Sequence, residues 1–178
     1  PEFALNNLMN ILGTHDTPRI LTVLGKSGQL ATERSEMANE ILSQNEINFA
    51  IKRLKCASLL QFTLYGFPSV YYGDEIGMQG NRDPFNRKCF DKSETNDEIL
   101  SWYKKLSEIK TNYVCLKTGR VFDVRYKNGV FSFSKKSDRD VVTVVVNCGT
   151  GAATIELSEN VIELMCNIKS NKITVNTY

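Results

Sequence analysis

The residues that stand out first for their chemistry are His15 and Asp16, adjacent in the stretch LGTHDTPR. His15 is the only histidine of the chain. An imidazole can make a directional hydrogen bond, and a fixed carboxylate can stabilise positive charge that develops in a transition state. An isolated His-Asp pair can equally be a structural pair that orients a loop. From these two residues alone, both interpretations stay open.

Two further carboxylates, Asp74 and Glu75, lie in the stretch YYGDEIGM, directly after an apolar run. Paired carboxylates at the end of a strand are a place where a general acid can arise. For the adjacent Tyr71 and Tyr72 we expect packing and not an exposed platform for a ligand.

The elements that must position these residues are predicted from hydrophobic periodicity. Apolar residues at helical spacing predict a helix over 45–65, with Ser43 and Glu46 as its capping box. Residues 33–42 predict a shorter helix. The apolar runs at 8–14 and 68–73 are typical of buried parallel strands. This alternation predicts an α/β architecture whose functional residues lie in the loops after the strands.

A further helix is predicted over 95–111. Thr95 and Glu98 form a Thr-x-x-Glu capping box at its start, and its apolar stripe places Trp102 in the core.

After about residue 117 the pattern changes to short β-rich runs separated by turn residues. Asn128-Gly129 between two such runs predicts a tight hairpin. Five to six strands of this kind fit a small antiparallel β-sandwich. We therefore expect one domain over 1–117 and a second over 118–178.

Composition and charge restrict the class of protein. The chain has 178 residues, 42% hydrophobic and 24% charged, with a formal net charge of +2. Its lysines and arginines are scattered, so neither a nucleic acid nor a membrane surface is expected as a partner. No run approaches the ~20 apolar residues of a membrane span.

The five cysteines are odd in number, widely spaced and never arranged as C-x-x-C. They are Cys56, Cys89, Cys115, Cys148 and Cys166. This pattern argues against a disulfide framework and against a structural zinc site. We expect free thiols in a reducing compartment, and therefore a cytoplasmic protein.

Three stretches together carry a resemblance to a known family. NILGTHDTPRILT, GFPSVYYGDEIGM and NRDPFNR resemble, in order and spacing, the last part of the catalytic barrel of the α-amylase family, glycoside hydrolase family 13. Within the family they are most similar to the neopullulanases, cyclomaltodextrinases and maltogenic amylases. The resemblance implies the last strand-helix units of a TIM (β/α)8 barrel followed by a β-sandwich. It also implies a retaining glycosidase that acts on the α-glucosidic bonds of starch-like maltooligosaccharides, cyclodextrins or pullulan.

The resemblance also implies roles for individual residues. Asp16 matches the carboxylate that stabilises the transition state, and His15 matches the histidine that contacts sugar hydroxyls. Asp83 and Arg87 match an Asp and an Arg that contact glucose residues of the substrate. An ion pair that closes the loop is the alternative for these two. The family motif often reads DPDCRRPMxW where this chain has DPFNRKCFDK, so the tryptophan of the motif is missing here.

The acids at 74–75 have no catalytic role in the family, so we expect them to close the barrel and to stabilise the loop through hydrogen bonds. The nucleophile and the general acid lie on earlier strands of the family barrel, and nothing in this chain matches them. We therefore expect a piece of a longer enzyme that is inert by itself. No cofactor is evident, and the resemblance allows calcium in the intact enzyme. Unpaired strand edges in such a piece would be rearranged, disordered or paired in a dimer.

Three other functions compete with this interpretation. A non-catalytic amylase-like protein for carbohydrate binding or transport would differ in residues outside this chain. A metal phosphohydrolase of the HD type needs several histidines, and the chain has one. A carbohydrate-binding module needs exposed aromatic platforms, whereas Phe131 and Phe133 share one strand face and are expected in the core. Its remaining aromatic candidates are Phe122, Tyr126 and Tyr178.

Overall fold

The computed structural model describes residues 2–165 and 168–176. The described chain forms two compact units that divide between Leu106 and Ser107. The division lies 11 residues before the boundary expected at 117/118, and the extent of the two domains stays a prediction.

The first unit contains α1 (Glu2–Asn6), β1 (Met9–Ile11), α2 (Ile20–Gly25), α3 (Arg34–Asn39), α4 (Gln44–Thr63), β2 (Phe67–Ser69) and most of α5 (Asp97–Asn112). Three single-turn 3₁₀ helices, Asp74–Ile76, Phe85–Arg87 and Lys92–Glu94, shape the loop between β2 and α5. The predicted alternation of strands and helices is therefore confirmed, with shorter elements than expected.

The two strands of the first unit pair in parallel, with Met9 opposite Phe67 and Ile11 opposite Ser69. The expectation that both strands are buried is wrong at their outer positions, since Met9 is 64% and Phe67 61% exposed. Among the described residues the sheet consists of this pair alone, so no neighbouring strand covers it. The parallel pairing has one important consequence: the loops after the two strands leave the sheet at the same edge.

Helix α4 begins where the sequence predicts. Ser43 Oγ accepts from the Glu46 backbone N–H, and the Glu46 carboxylate accepts from the Ser43 backbone N–H at 2.8 Å. Both halves of the predicted capping box are therefore confirmed. The buried core of the unit comprises Ile20, Leu21, Leu42, Ala50, Ile51, Leu54, Phe62, Ile99, Tyr103 and Leu106. Trp102 packs against this core partly buried and donates from Nε1 to Ser58 Oγ at 2.9 Å.

The predicted cap of α5 is wrong by one residue. Thr95 Oγ1 donates to the carbonyl of Lys92 at 2.7 Å, while Asn96 Oδ1 accepts from the Ile99 N–H at 3.1 Å. Asparagine is a better N-cap than threonine, so the neighbouring Asn96 caps the helix instead.

The second unit contains α6 (Val114–Thr118) and five described strands. They are β3 (Arg120–Lys127), β4 (Val130–Lys136), β5 (Val141–Asn147), β6 (Ala153–Glu163) and β7 (Ile168–Val175). Strands β3-β4-β5 form one antiparallel sheet and β6-β7 another. The antiparallel β structure and the hairpin are confirmed, since Asn128 and Gly129 both have positive φ, at 51° and 82°.

A bulge in β3 places two exposed aromatic residues of this strand on opposite faces of the sheet. Phe122 pairs with Ser134, and Tyr126 pairs with Phe131 after the register shift. Cross-strand partners share a face, so Tyr126 lies with Phe131 and Phe133 while Phe122 lies on the other side. Phe133 is 1% exposed, as expected for the core. The two exposed rings therefore do not form one platform for a sugar, whereas Tyr178 lies outside the described residues.

Candidate functional site

Residues 12–19 connect β1 to α2 and carry His15 and Asp16. The loop forms a tight turn in which the Thr14 N–H donates to Thr17 Oγ1 at 3.0 Å and the Asp16 N–H donates to Thr14 Oγ1 at 3.1 Å. Threonine hydroxyls favour such turns because they bond to nearby backbone. The side chains of His15 and Asp16 are 65% and 73% exposed, so the turn presents both to solvent.

The structure brings the four predicted site residues together. His15 Nε2 lies 3.2 Å from Asp16 Oδ2, and Arg87 Nη2 lies 3.5 Å from Asp16 Oδ1. Arg87 Nε lies 2.9 Å from Asp83 Oδ1 and donates to the carbonyl of His15 at 3.1 Å. Arg87 therefore joins the loop after β1 to the loop after β2. We call these four residues the polar cluster.

The polar cluster is exposed, which decides what its contacts can do. Ion pairs open to solvent stabilise a fold by about 0–1 kcal/mol, so they can be exchanged for contacts to a ligand at little cost. The cluster offers carboxylate acceptors, guanidinium donors and an imidazole within one patch. These groups match the donors and acceptors of sugar hydroxyls.

Sequence reasoning missed Arg19, which lies at the start of α2. The residue is 1% exposed, and its guanidinium contacts the ring faces of Tyr71 and Tyr72 at 4.3 and 4.5 Å. Arg19 Nη1 donates to the Tyr72 carbonyl and lies 3.2 Å from Asp74 Oδ1. A buried cation of this kind is stabilised by a carboxylate and by aromatic faces together. Both tyrosine rings contact Arg19, but Tyr72 is also 39% exposed, so the packing role stays a prediction for that residue.

Asp74 is a buried structural partner. Burial raises the pKa of Asp74 to about 6, against the opposite effect of Arg19. A Cβ on Gly13 would lie 2.5 Å from Asp74 Oδ2, so only glycine allows the carboxylate to approach the end of β1 so closely. Glu75 accepts from the Gly73 N–H at 2.8 Å. Both acids therefore have contacts that hold the loop, in line with the expectation for 74–75.

The structural role of Asn86 was also not predicted from the sequence. Its side chain is completely buried, and Nδ2 donates to the carbonyls of His15 at 2.8 Å and Thr17 at 2.7 Å. These bonds span 71 and 69 residues, and no local pattern in DPFNR indicates them.

No group of three or more His, Cys, Asp or Glu side chains that could hold a metal ion occurs among the described residues. The calcium that the resemblance allows therefore has no such ligand group in this part of the chain. Within the same residues, no helix is both long and apolar enough to span a bilayer. Cys56, Cys89, Cys115 and Cys148 are free thiols. Cys166 lies outside the described residues.

Fold and site together define an α/β protein in which the loops after two parallel strands converge on a solvent-facing polar cluster. The protein-family model for the alpha amylase catalytic domain matches residues 2–112 of the sequence, and the chain belongs to this family. This confirms the resemblance carried by the three motifs.

Individual relatives agree with the assignment. An amylopullulanase of Thermoanaerobacter thermohydrosulfuricus is 37% identical over 152 residues, which cover 79% of this chain and 10% of the relative. A cyclomaltodextrinase of Thermoanaerobacter pseudethanolicus is 31% identical over 159 residues, covering 88% of this chain and 24% of the relative. The chain thus spans a tenth to a quarter of the length of these relatives. A solved cyclomaltodextrinase structure matches 99% of this chain and 29% of its own, with a TM-score of 0.76 at 23% identity, which shows a common fold.

Proposed function

We propose that this chain is part of a retaining glycoside hydrolase that cleaves α-glucosidic bonds in maltooligosaccharides, cyclodextrins or pullulan. The supporting relatives are named amylopullulanase and cyclomaltodextrinase. The observation that carries the proposal is the position of Arg87, which holds both carboxylates of the polar cluster and the His15 carbonyl at one exposed point. We keep the expectation of a cytoplasmic protein as part of this proposal.

In this proposal Asp16 stabilises the transition state of bond cleavage. Positive charge develops on the sugar ring as the bond to C1 breaks, and hydrogen bonds from ring hydroxyls to a carboxylate strengthen as it does so. The turn at residues 14–17 holds this carboxylate before substrate arrives, which limits the reorganisation needed. His15, 3.2 Å from it, orients the same sugar through a directional hydrogen bond.

Asp83 and Arg87 bind a neighbouring glucose unit. The guanidinium offers donors in a fixed fork, and the carboxylate accepts from hydroxyls that the fork does not reach. The contacts that Arg87 now makes to the two carboxylates are exposed, so a glucan can replace them in part.

We further propose that β1 and β2 are the last two strands of a (β/α)8 barrel over residues 1–117, and that residues 118–178 form a β-sandwich. The parallel pairing of β1 and β2 and the match to a solved cyclomaltodextrinase over 99% of the chain support this arrangement. A barrel would also supply neighbouring strands for the exposed positions of β1 and β2. In the isolated chain these edges could instead mediate a dimer, which analytical ultracentrifugation would detect.

The 178 residues by themselves should not cleave a glycosidic bond. Retaining chemistry needs a nucleophile and a general acid about 5 Å apart on either side of the bond. Asp16 and Asp83, the carboxylates of the polar cluster, both face Arg87 and are assigned to substrate contacts. The proposal therefore places the nucleophile and the acid in residues outside this chain.

Saturation-transfer NMR on maltoheptaose protons tests the binding part of the proposal. The wild-type chain should transfer saturation to the sugar, Arg87→Ala should lose most of the signal, and Arg125→Ala should keep it. Arg125 is a suitable control because it is also an exposed arginine in an ion pair, with Asp123 at 2.6 Å. Equal signals from the two variants would contradict the proposal.

A reducing-sugar assay on the same chain tests its inertness, and robust turnover would contradict that part. The alternative function is a non-catalytic amylase-like protein for carbohydrate binding or transport. A longer protein that contains this chain, binds maltoheptaose and releases no reducing sugar would favour that alternative.

A further inference from the structure

The side chain of Asn86 makes two hydrogen bonds between the polar cluster's two loops. Asn86 lies in the 3₁₀ helix Phe85–Arg87 and is completely buried. Its Nδ2 donates to the carbonyls of His15 and Thr17, the residues on either side of Asp16. One amide group therefore fixes the backbone on both sides of the carboxylate.

The chemistry of this position requires an amide. Two backbone carbonyls converge on one buried atom, so that atom must supply two donors. A serine or threonine hydroxyl supplies one, and a lysine or arginine would bring a charge into the buried position. The side-chain orientation is also determined, because an amide oxygen in place of Nδ2 would face two carbonyl oxygens.

The oxygen of the same amide group makes no comparable contribution, so the two N–H donors explain why an asparagine stabilises this position. Asn86 Oδ1 is buried and has no hydrogen-bond partner among the described residues. Leaving a buried acceptor without a partner is unfavourable, and an apolar side chain at this position would avoid it. The gain from asparagine here therefore comes from the two bonds to the loop.

We propose that Asn86 is a positioning residue for Asp16. It holds the turn at residues 14–17 so that the Asp16 carboxylate stays against Arg87, the next residue along the same short helix. Asn86 does not touch a ligand and acts only through the backbone of His15 and Thr17. The binding of a glucan at this turn rests on the proposed function. The positioning of the turn by Asn86 does not depend on it.

Backbone ¹⁵N relaxation of the 178-residue chain tests the proposal. Asn86→Ala and Asn86→Asp both remove the donor, and the second keeps the shape of the side chain. We expect the order parameters of His15, Asp16 and Thr17 to fall from about 0.85 to below 0.6 in both variants.

The matched control is Asn81→Ala. Asn81 is also completely buried in the loop after β2, but its Nδ2 donates to the Ala31 carbonyl at 2.9 Å and to Glu40. The order parameters at 15–17 should stay at the wild-type value in this variant. Unchanged values in a folded Asn86 variant, or an equal fall in Asn81→Ala, would overturn the proposal. The proposal would also be overturned if both Asn86 variants lost cooperative unfolding while Asn81→Ala remained folded. Asn86 would then be needed for the fold as a whole and not for the turn in particular.

Titration with maltoheptaose separates this proposal from the proposed function. If the wild-type chain does not bind the sugar, the proposed function fails while the relaxation result still decides the role of Asn86. If the sugar binds, the Asn86 variants should bind it at least several-fold more weakly than Asn81→Ala. Equal binding by all three would contradict a role of Asn86 in positioning the site.

Discussion

The two units of this chain bury positive charge in different ways. In the first unit, the Arg19 guanidinium has a carboxylate at 3.2 Å and two tyrosine rings against its faces. In the second unit, Lys135 is completely buried and donates to the Leu116 carbonyl at 3.1 Å, and Lys110 donates to the same oxygen at 2.7 Å. A carboxylate lies beside the first cation, and in the second unit two lysine ammonium groups share one carbonyl oxygen.

Asp74 in the first unit and Lys110 in the second have opposite effects on the pH dependence of stability. Burial raises the pKa of Asp74 to about 6, so its contribution to stability is present below about pH 4 and is lost as pH rises through 6. Burial, with the nearby Lys135 ammonium, lowers the pKa of Lys110 to about 8. The unfolded chain then binds more protons between about pH 8 and 10.4, so stability rises with pH in that window.

The largest expected effect comes from removing the carboxylate from the first arrangement. Asp74→Ala removes the oxygen acceptor that faces the buried Arg19 guanidinium and leaves a cavity, and we expect the free energy of unfolding to fall by about 3 kcal/mol. Urea denaturation at pH 7, followed by circular dichroism, measures this change.

The control for this prediction is Glu98→Ala. It breaks the Lys55–Glu98 ion pair, which has a shorter distance of 2.7 Å but an exposed carboxylate. An exposed pair of this kind should change stability by no more than about 1 kcal/mol. Similar losses in the two variants would show that burial does not distinguish the two ion pairs.

The second effect concerns the lysines of the second unit. Between pH 8 and 10 the unfolding free energy of the wild type should rise by about 1–2 kcal/mol relative to that of Lys110→Met, because the variant lacks the group that releases the proton, and the partial exposure of the side chain limits the effect. The exposed Lys127→Met is the control and should keep the wild-type profile. Parallel profiles of the wild type and Lys110→Met in urea titrations across this range would contradict the lowered pKa of Lys110.

The smallest expected effect tests how closely the carboxylate of the first unit is packed. Gly13→Ala places a Cβ 2.5 Å from Asp74 Oδ2, and we expect a loss of about 1–2 kcal/mol by thermal or urea unfolding. Gly28→Ala meets no atom within 4 Å and should change stability by less than about 0.5 kcal/mol. If Gly13→Ala is as harmless as the control, Asp74 moves more freely than its contacts suggest.

The features that the sequence predicts well are local. The capping box of α4 and the Asn128-Gly129 hairpin depend on residues within a few positions of each other, so their patterns identify them. The predicted cap of α5 is wrong because the Thr-x-x-Glu pattern favoured Thr95, whereas the adjacent Asn96 is the better N-cap. The four residues of the polar cluster were found through the family motifs.

The supporting contacts could not be predicted. Arg19 meets Asp74 across 55 residues, and Asn86 meets the His15 loop across about 70. Such contacts arise only once β1 and β2 pair in parallel and bring their following loops to one edge. The exposure of β1 and β2 likewise depends on which strands lie beside them, which no local pattern determines.

The most direct test of the central claim, that the polar cluster binds glucan, uses the single histidine of the chain as a reporter. The ring proton signals of His15 are followed by NMR while maltoheptaose is added to about 10 mM, which saturates a millimolar site. The account predicts that these signals move and level off, and that Asp16→Asn strongly reduces the movement. His15 signals that stay in place throughout the titration would contradict it.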